Sequence, residues 1–159
     1  MKKFISLTLI CCMLICSLSA FATAENIVID GENAVIPSDM GKIVEMNDRT
    51  YVPIRFVMEY LGCVVNYQET TQTQNGKSQV LRTATITDPK TKISYFTTVN
   101  DNKIFILGSQ ASTVNMDTPV FINEDEGRMY IPIRFLAQAL GYTVGWDEET
   151  QTVSLTSAE

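Results

Sequence analysis

Any chemistry in this chain must be done without histidine, because its 159 residues contain none. That removes the side chain most often used as a general base at neutral pH. Carboxylates are the abundant reactive groups, and two clusters concentrate them: Glu124-Asp125-Glu126 and Asp147-Glu148-Glu149. Either could gather calcium, which prefers oxygen ligands. The EF-hand loop, however, needs alternating oxygen ligands, a central glycine and a distal glutamate, and neither cluster has them. Each fits a solvated β-turn between strands. Two carboxylates could also serve as acid and base in sugar hydrolysis, but the sequence singles out no pair. A serine or cysteine nucleophile would want an adjacent base. No Gly-x-Ser-x-Gly elbow is present to present one.

Arginines and aromatics offer binding rather than catalysis. Arg55 and Arg134 each follow a Pro-Ile pair at the start of an apolar run. They could clamp an anion, but a cation is disfavoured at a helix start. Pairing with a neighbouring carboxylate or carbonyl is the reading preferred here. Arg49 and Arg128 are expected to serve the turns before their strands. Tyr67 and Trp146 sit at matching positions and could stack on sugars or grip a partner. Period two places them on the same strand face as Val65 and Val144, so both rings are expected in the core.

These residues belong to an element that occurs twice. Arg49–Tyr67 reads RTYVPIRFVMEYLGCVVNY, and Arg128–Trp146 reads RMYIPIRFLAQALGYTVGW. At an offset of 79, the Arg, Tyr, Pro-Ile-Arg-Phe, Leu-Gly and Val positions coincide, and the match reaches Thr71-Gln72-Thr73 and Thr150-Gln151-Thr152. So many identities in register indicate a duplicated unit, spanning about 49–73 and 128–152. Proline suits the first turn of a helix. Phe56, Val57, Tyr60 and Leu61 share one helical face, as do Phe135, Leu136, Ala139 and Leu140. Gly62 and Gly141 supply the left-handed conformation that ends a helix. Alternation then resumes, so each unit is strand, short helix and β-hairpin. Elsewhere Val80–Thr87, Lys92–Val99 and Lys103–Leu107 read as strands, with turns at Asp30-Gly31, Asn75-Gly76 and Asn100-Asp101-Asn102. The expected fold class is α+β: an antiparallel β-sheet wrapped on two short helices.

The second copy resembles the copper amine oxidase N-terminal-like domain, also called the stalk domain. That family's hallmark is an arginine-led strand running into a Val-Pro-Leu-Arg-Phe helix, closed by Ala-Leu-Gly and a Val-x-Trp-Asp turn. Here it stands as Tyr130–Phe135, Ala139-Leu140-Gly141 and Val144-Gly145-Trp146-Asp147. The first copy is looser, with Tyr60 for the alanine and Tyr67-Gln68 for Trp-Asp. The resemblance covers roughly Ile27 to Leu155. It implies a secreted or surface-exposed module, often coupled to cell-wall modules or enzymes. It does not imply amine oxidase chemistry, which resides in another domain that holds copper with histidines. A copper site built on imidazole cannot form here, nor can zinc of the usual His/Cys type.

The amino terminus, MKKFISLTLICCMLICSLSAFATA, has a basic start, an apolar run and a small-x-small end at Ala22-Thr23-Ala24. It reads as a signal peptide over residues 1–24, with 25–159 as a single mature domain. The run is shorter and more Ser/Thr-interrupted than a membrane span needs. Cleavage would remove three of the four cysteines and leave Cys63, expected as a buried apolar residue. Net charge would pass from −6 to −8 as Lys2 and Lys3 leave. Such an acidic surface makes nucleic acid a poor partner. The expected function is a secreted, non-enzymatic binding or scaffolding module at the cell surface or wall. Its partner would be a protein or glycan, with no cofactor. The alternative is a small carboxylate-based hydrolase acting on wall glycans or polysaccharides.

Overall fold

A computed structural model describes residues 24–158. The expected signal peptide lies outside the described residues, except for Ala24, which is buried. From the amino end run β1 (Asn26–Ile29), β2 (Glu32–Asn33), β3 (Val44–Met46) and β4 (Arg49–Pro53). Helix α1 (Ile54–Tyr60) leads into a long hairpin of β5 (Val64–Gln74) and β6 (Lys77–Thr87). Next come β7 (Ser94–Thr98), β8 (Lys103–Leu107), β9 (Ala111–Asn115) and β10 (Phe121–Asn123). The chain closes with β11 (Arg128–Pro132), α2 (Ile133–Leu140), β12 (Tyr142–Asp147) and β13 (Thr152–Ser157).

The class is α+β, with two helices and mostly antiparallel strands. The single sheet expected from the sequence is instead three, ordered β12-β13-β1-β2, β10-β11-β4-β3 and β5-β6-β7-β8-β9. One pairing is parallel: β1 lies along β13, with Ile27 opposite Val153 and Ile29 opposite Leu155. All four side chains are buried. Apolar burial explains why the first strand docks beside the last, although no hairpin can join parallel neighbours.

Two prolines set the points where strand becomes helix. Pro53 and Pro132 have φ of −62° and extended ψ, and each helix begins at the following isoleucine. They therefore precede the first turn by one residue rather than occupying it. A fixed φ with no N–H to satisfy suits that junction. The helices drive their first turns into the core, burying Ile54, Phe56, Val57 and Met58 in α1 and Ile133, Leu136 and Ala137 in α2. Their shared stripe at i, i+3 and i+4 starts at the residue after proline. The expected faces hold at Phe56, Val57 and Leu136, which are buried, and are corrected elsewhere: Tyr60 is exposed, and Leu61, Phe135, Ala139 and Leu140 are only half-buried. Gly62 and Gly141 end the helices with φ of 80° and 77°, as expected.

The β5–β6 hairpin turns at Asn75-Gly76, where both residues have positive φ. Such a pair is the ordinary two-residue hairpin turn. Its strands stay in register from Val64–Thr87 to Gln74–Lys77, which settles the pairing over residues 70–87. Beyond Gln68, the β5 side chains that are described are exposed. The core gathers instead around the β4–β11 pair, the helices and the inner faces of the outer sheets.

Candidate functional site

Two grooves flank the β4–β11 pair, and each is built from both halves of the chain. The first holds about 340 Å³. The start of α1 supplies Ile54 and Arg55, and the strand that follows supplies Val65 and Tyr67. The turn entering β11 supplies Gly127 and Arg128 from the other half. The second groove is smaller, about 120 Å³. It takes Ile133 and Arg134 from the start of α2, and Val144 and Trp146 from β12. Asp48 and Arg49 close it from the turn entering β4. Every one of these residues has its counterpart 79 positions away in the other groove.

Tyr67 is 44% exposed and Trp146 is 46% exposed, so the expected burial of both rings is corrected. Period two does hold, since Val65 is on the same face and buried. What runs out is the cover. Helix α1 has seven residues, about 10 Å of length, and it does not extend over the strand as far as Tyr67. Across the hairpin Tyr67 faces Ala84, and Trp146 faces Val153. These small partners floor the grooves and leave the rings as walls.

Charge is arranged differently in the two. In the first groove Arg82 binds Glu69 at 3.0 Å and Glu124 at 2.6 Å. The Tyr67 hydroxyl donates to Glu69 at 3.1 Å. Burial first, and then that hydrogen bond, push the Tyr67 phenol above its ordinary pKa. Arg55 pairs with Glu59 at 2.8 Å and donates to the Val65 carbonyl at 3.4 Å, the structural role expected of it. In the second groove Arg49 binds Asp117 at 2.5 Å and donates to the Asp48 carbonyl. Arg128 likewise donates to the Asp39 carbonyl. Arg134 is exposed and makes no ion pair among the described residues, so the pairing expected of it is not formed there.

The acidic clusters do not converge. Glu124 turns to Arg82, while Glu126 accepts a hydrogen bond from the Tyr130 hydroxyl at 2.5 Å. Asp147 accepts from the amides of Glu149 and Thr150 at 2.9 and 3.1 Å, closing its own turn. Among the described residues no group of three or more Asp, Glu, Cys or His is placed to hold a metal ion. Cys63 is buried, and desolvation raises its thiol pKa. Sequence reasoning passed over Arg82, which organises the first groove. Its signal was there: Arg82 is the only charge in the alternating strand Val80–Thr87.

The strand-Pro-Ile-Arg-Phe-helix arrangement stands at both grooves, and the family model for the copper amine oxidase N-terminal domain matches residues 28–155, which include both. The chain belongs to that family. No curated protein and no solved structure matches it. In this copper amine oxidase N-terminal domain the Pro-Ile-Arg-Phe residues make the joint between strand and helix. The same joint leaves an arginine and an aromatic ring facing solvent on each side. No helix among the described residues is long and apolar enough to cross a membrane.

Proposed function

We propose that the protein is a secreted, non-enzymatic binding module that acts at the cell surface or in the wall. The observation that carries this reading is the exposure of Tyr67 and Trp146 on grooves that also carry arginines. Solvent-facing aromatic rings beside arginines suit stacking on a sugar or gripping a peptide. The amino-terminal sequence supports export, by its basic start, apolar run and small-x-small end. The matched grooves and the 79-residue offset support descent of both halves from one strand-helix-hairpin unit.

The test is retention of purified protein on wall fragments and on culture-supernatant proteins. Binding that weakens in Trp146→Ala or Tyr67→Ala, with the fold intact, supports the module. The hydrolase alternative is read in parallel on wall glycans. Turnover abolished by substituting one Asp or Glu, again with the fold intact, would replace the binding reading.

A further inference from the structure

We infer that the protein self-associates through the free edge of β5: two copies pair antiparallel over Tyr67–Thr73, about a two-fold axis at Thr70. The pairing needs no ligand and does not depend on the binding-module reading.

β5 is the longest free edge among the described residues. It ends its sheet and runs for eleven residues. The other edge strands, β2, β3, β9, β10 and β12, have two to six. Exposed edges are usually blunted by shortness, lysine, proline or a bulge. β5 has no lysine and no proline, and its register with β6 is unbroken from end to end. Its outer half is also short of neighbours. β7 pairs with β6 only as far as Thr83. From Thr70 and Leu81 to the Asn75-Gly76 turn, the sheet is therefore a ribbon of two strands. Such a ribbon is marginal in water without a further strand beside it.

The hydrogen bonds identify which backbone groups are open. Along an antiparallel pair, opposed residues alternately bond each other and face away. The Val99 amide donates to the Arg82 carbonyl at 2.9 Å. Arg82 thus faces away from β5, and Glu69 opposite it faces away from β6. By alternation the amides and carbonyls of Val65, Tyr67, Thr71 and Thr73 point outward with it. Arg55 already donates to the Val65 carbonyl. Beyond Thr73 the chain turns, with positive φ at Asn75. The open residues are Tyr67, Glu69, Thr71 and Thr73, and their midpoint is Thr70.

A second copy fits because this stretch is complementary to itself. An axis at Thr70 sets Tyr67 opposite Thr73 and Glu69 opposite Thr71, so every open amide and carbonyl meets a partner. An axis at Glu69 would put two glutamates face to face and use the capped Val65 carbonyl as a rung. An axis at Thr71 would bring Tyr67 against the turn. At Thr70 each Glu69 faces a neutral threonine and keeps its own Arg82 at 3.0 Å. Glu69 is the single charge in Tyr67–Thr73, on a chain of net −6, so this edge can meet itself with little repulsion. The two five-stranded sheets then run on as one. Thr73 of the second copy stands beside Tyr67 and adds a wall to the first groove.

The experiment is sedimentation of the purified protein in a concentration series up to about 1 mM, with proline placed on either edge of the sheet. A dimer is expected. Thr71→Pro removes an amide that β6 does not use, so circular dichroism should be unchanged while the dimer weakens at least about tenfold. Thr113→Pro removes an open amide of β9, at the opposite edge, and should leave the dimer as it was. Cysteines read the register. Residues opposed across the axis at Thr70 have Cα atoms about 4.5 Å apart, within disulfide reach. Thr70→Cys should cross-link to itself under mild oxidation. Gln68→Cys should cross-link to Gln72→Cys in a mixture, and neither to itself. A monomer throughout the series, a dimer that Thr71→Pro leaves intact, or Gln68→Cys joining itself in preference to Gln72→Cys would each overturn the proposal. In the first case the edge is left to an extended segment of another protein. Loss of retention on wall fragments with the dimer intact would remove the binding module and leave the pairing standing.

Discussion

Val52 stands directly across from Ile131 in the antiparallel pairing of β4 with β11. They are the midpoint of the reciprocal set formed by Tyr51 with Pro132 and Pro53 with Tyr130. Both are fully buried. Phe121 packs against Tyr130 at 5.2 Å between ring centroids and against Tyr51 at 5.1 Å. This centre holds the two helix starts, and through them the two grooves, in fixed relation. Ile131→Ala should therefore lower stability by about 2–5 kcal/mol, the usual range for such a truncation in a packed core. Urea unfolding followed by circular dichroism reads the value. A loss below about 1 kcal/mol would mean that the pair is not the centre of the core.

Trp146 gives a second expectation, from its exposure at 46%. It is the only tryptophan in the chain, so its fluorescence reports a single place. Native emission should lie toward the red, with ready quenching by iodide. Trp146→Ala should cost about 1 kcal/mol or less, well short of the roughly 3–5 kcal/mol typical of a buried tryptophan. Blue-shifted, iodide-resistant emission would put the ring back inside the core.

Gly62 and Gly141 test backbone conformation apart from packing. A Cβ at either position would meet no atom within 4 Å. The φ values of 80° and 77° are the sole obstacle. Alanine at either site should destabilise by about 1 kcal/mol, with the cost entirely conformational. Asparagine, which tolerates the left-handed region better, should cost less than alanine. Equal losses for the two substitutions would point to a different cause.

Acid should weaken the fold through a few identifiable aspartates. The Thr91 hydroxyl and the Lys90 amide hold Asp88 below the usual carboxylate range. A hydrogen bond and charge from Arg49 do the same for Asp117, and the Thr150 amide does so for Asp147. A carboxylate whose folded pKa is depressed contributes stability above its unfolded value of about 3.9, and that contribution disappears as pH falls through the lower folded value. The melting temperature should hence fall once pH drops below about 4. In Asp88→Asn or Asp117→Asn the fall should be shallower. An unchanged slope in both variants would assign acid sensitivity to other groups.

The strand-helix joints were legible in the sequence because their signals are local. Proline, an apolar i, i+3, i+4 stripe and a terminal glycine all act within one or two turns of chain. The hairpin at Asn75-Gly76 was legible for the same reason. The division into three sheets was not, because it depends on which distant strand each edge meets. The β1–β13 pairing joins residues more than a hundred positions apart, and no turn residue announces it. The rings of Tyr67 and Trp146 were misplaced for a related cause. Alternation tells which face a side chain takes, and only the reach of the covering helix tells whether that face is buried there. Arg82 and its two glutamates were hidden because Glu124 comes from 42 positions away.

The parallel strip of β1 on β13 has a mechanical meaning. Asn26 lies at one end of the strip, opposite Thr152, while the chain leaves at the other end, at Ser157. Tension on the two ends therefore pulls the strands past one another along their length. The strip also includes the Asp30 amide on the Leu155 carbonyl and the Ser157 amide on the Asp30 carboxylate. Under shear these rungs bear load together, whereas a strand peeled from its end gives them up one by one. A domain tethered at both ends would resist stretching until the whole strip ruptures at once, and single-molecule pulling would show this as one abrupt force peak.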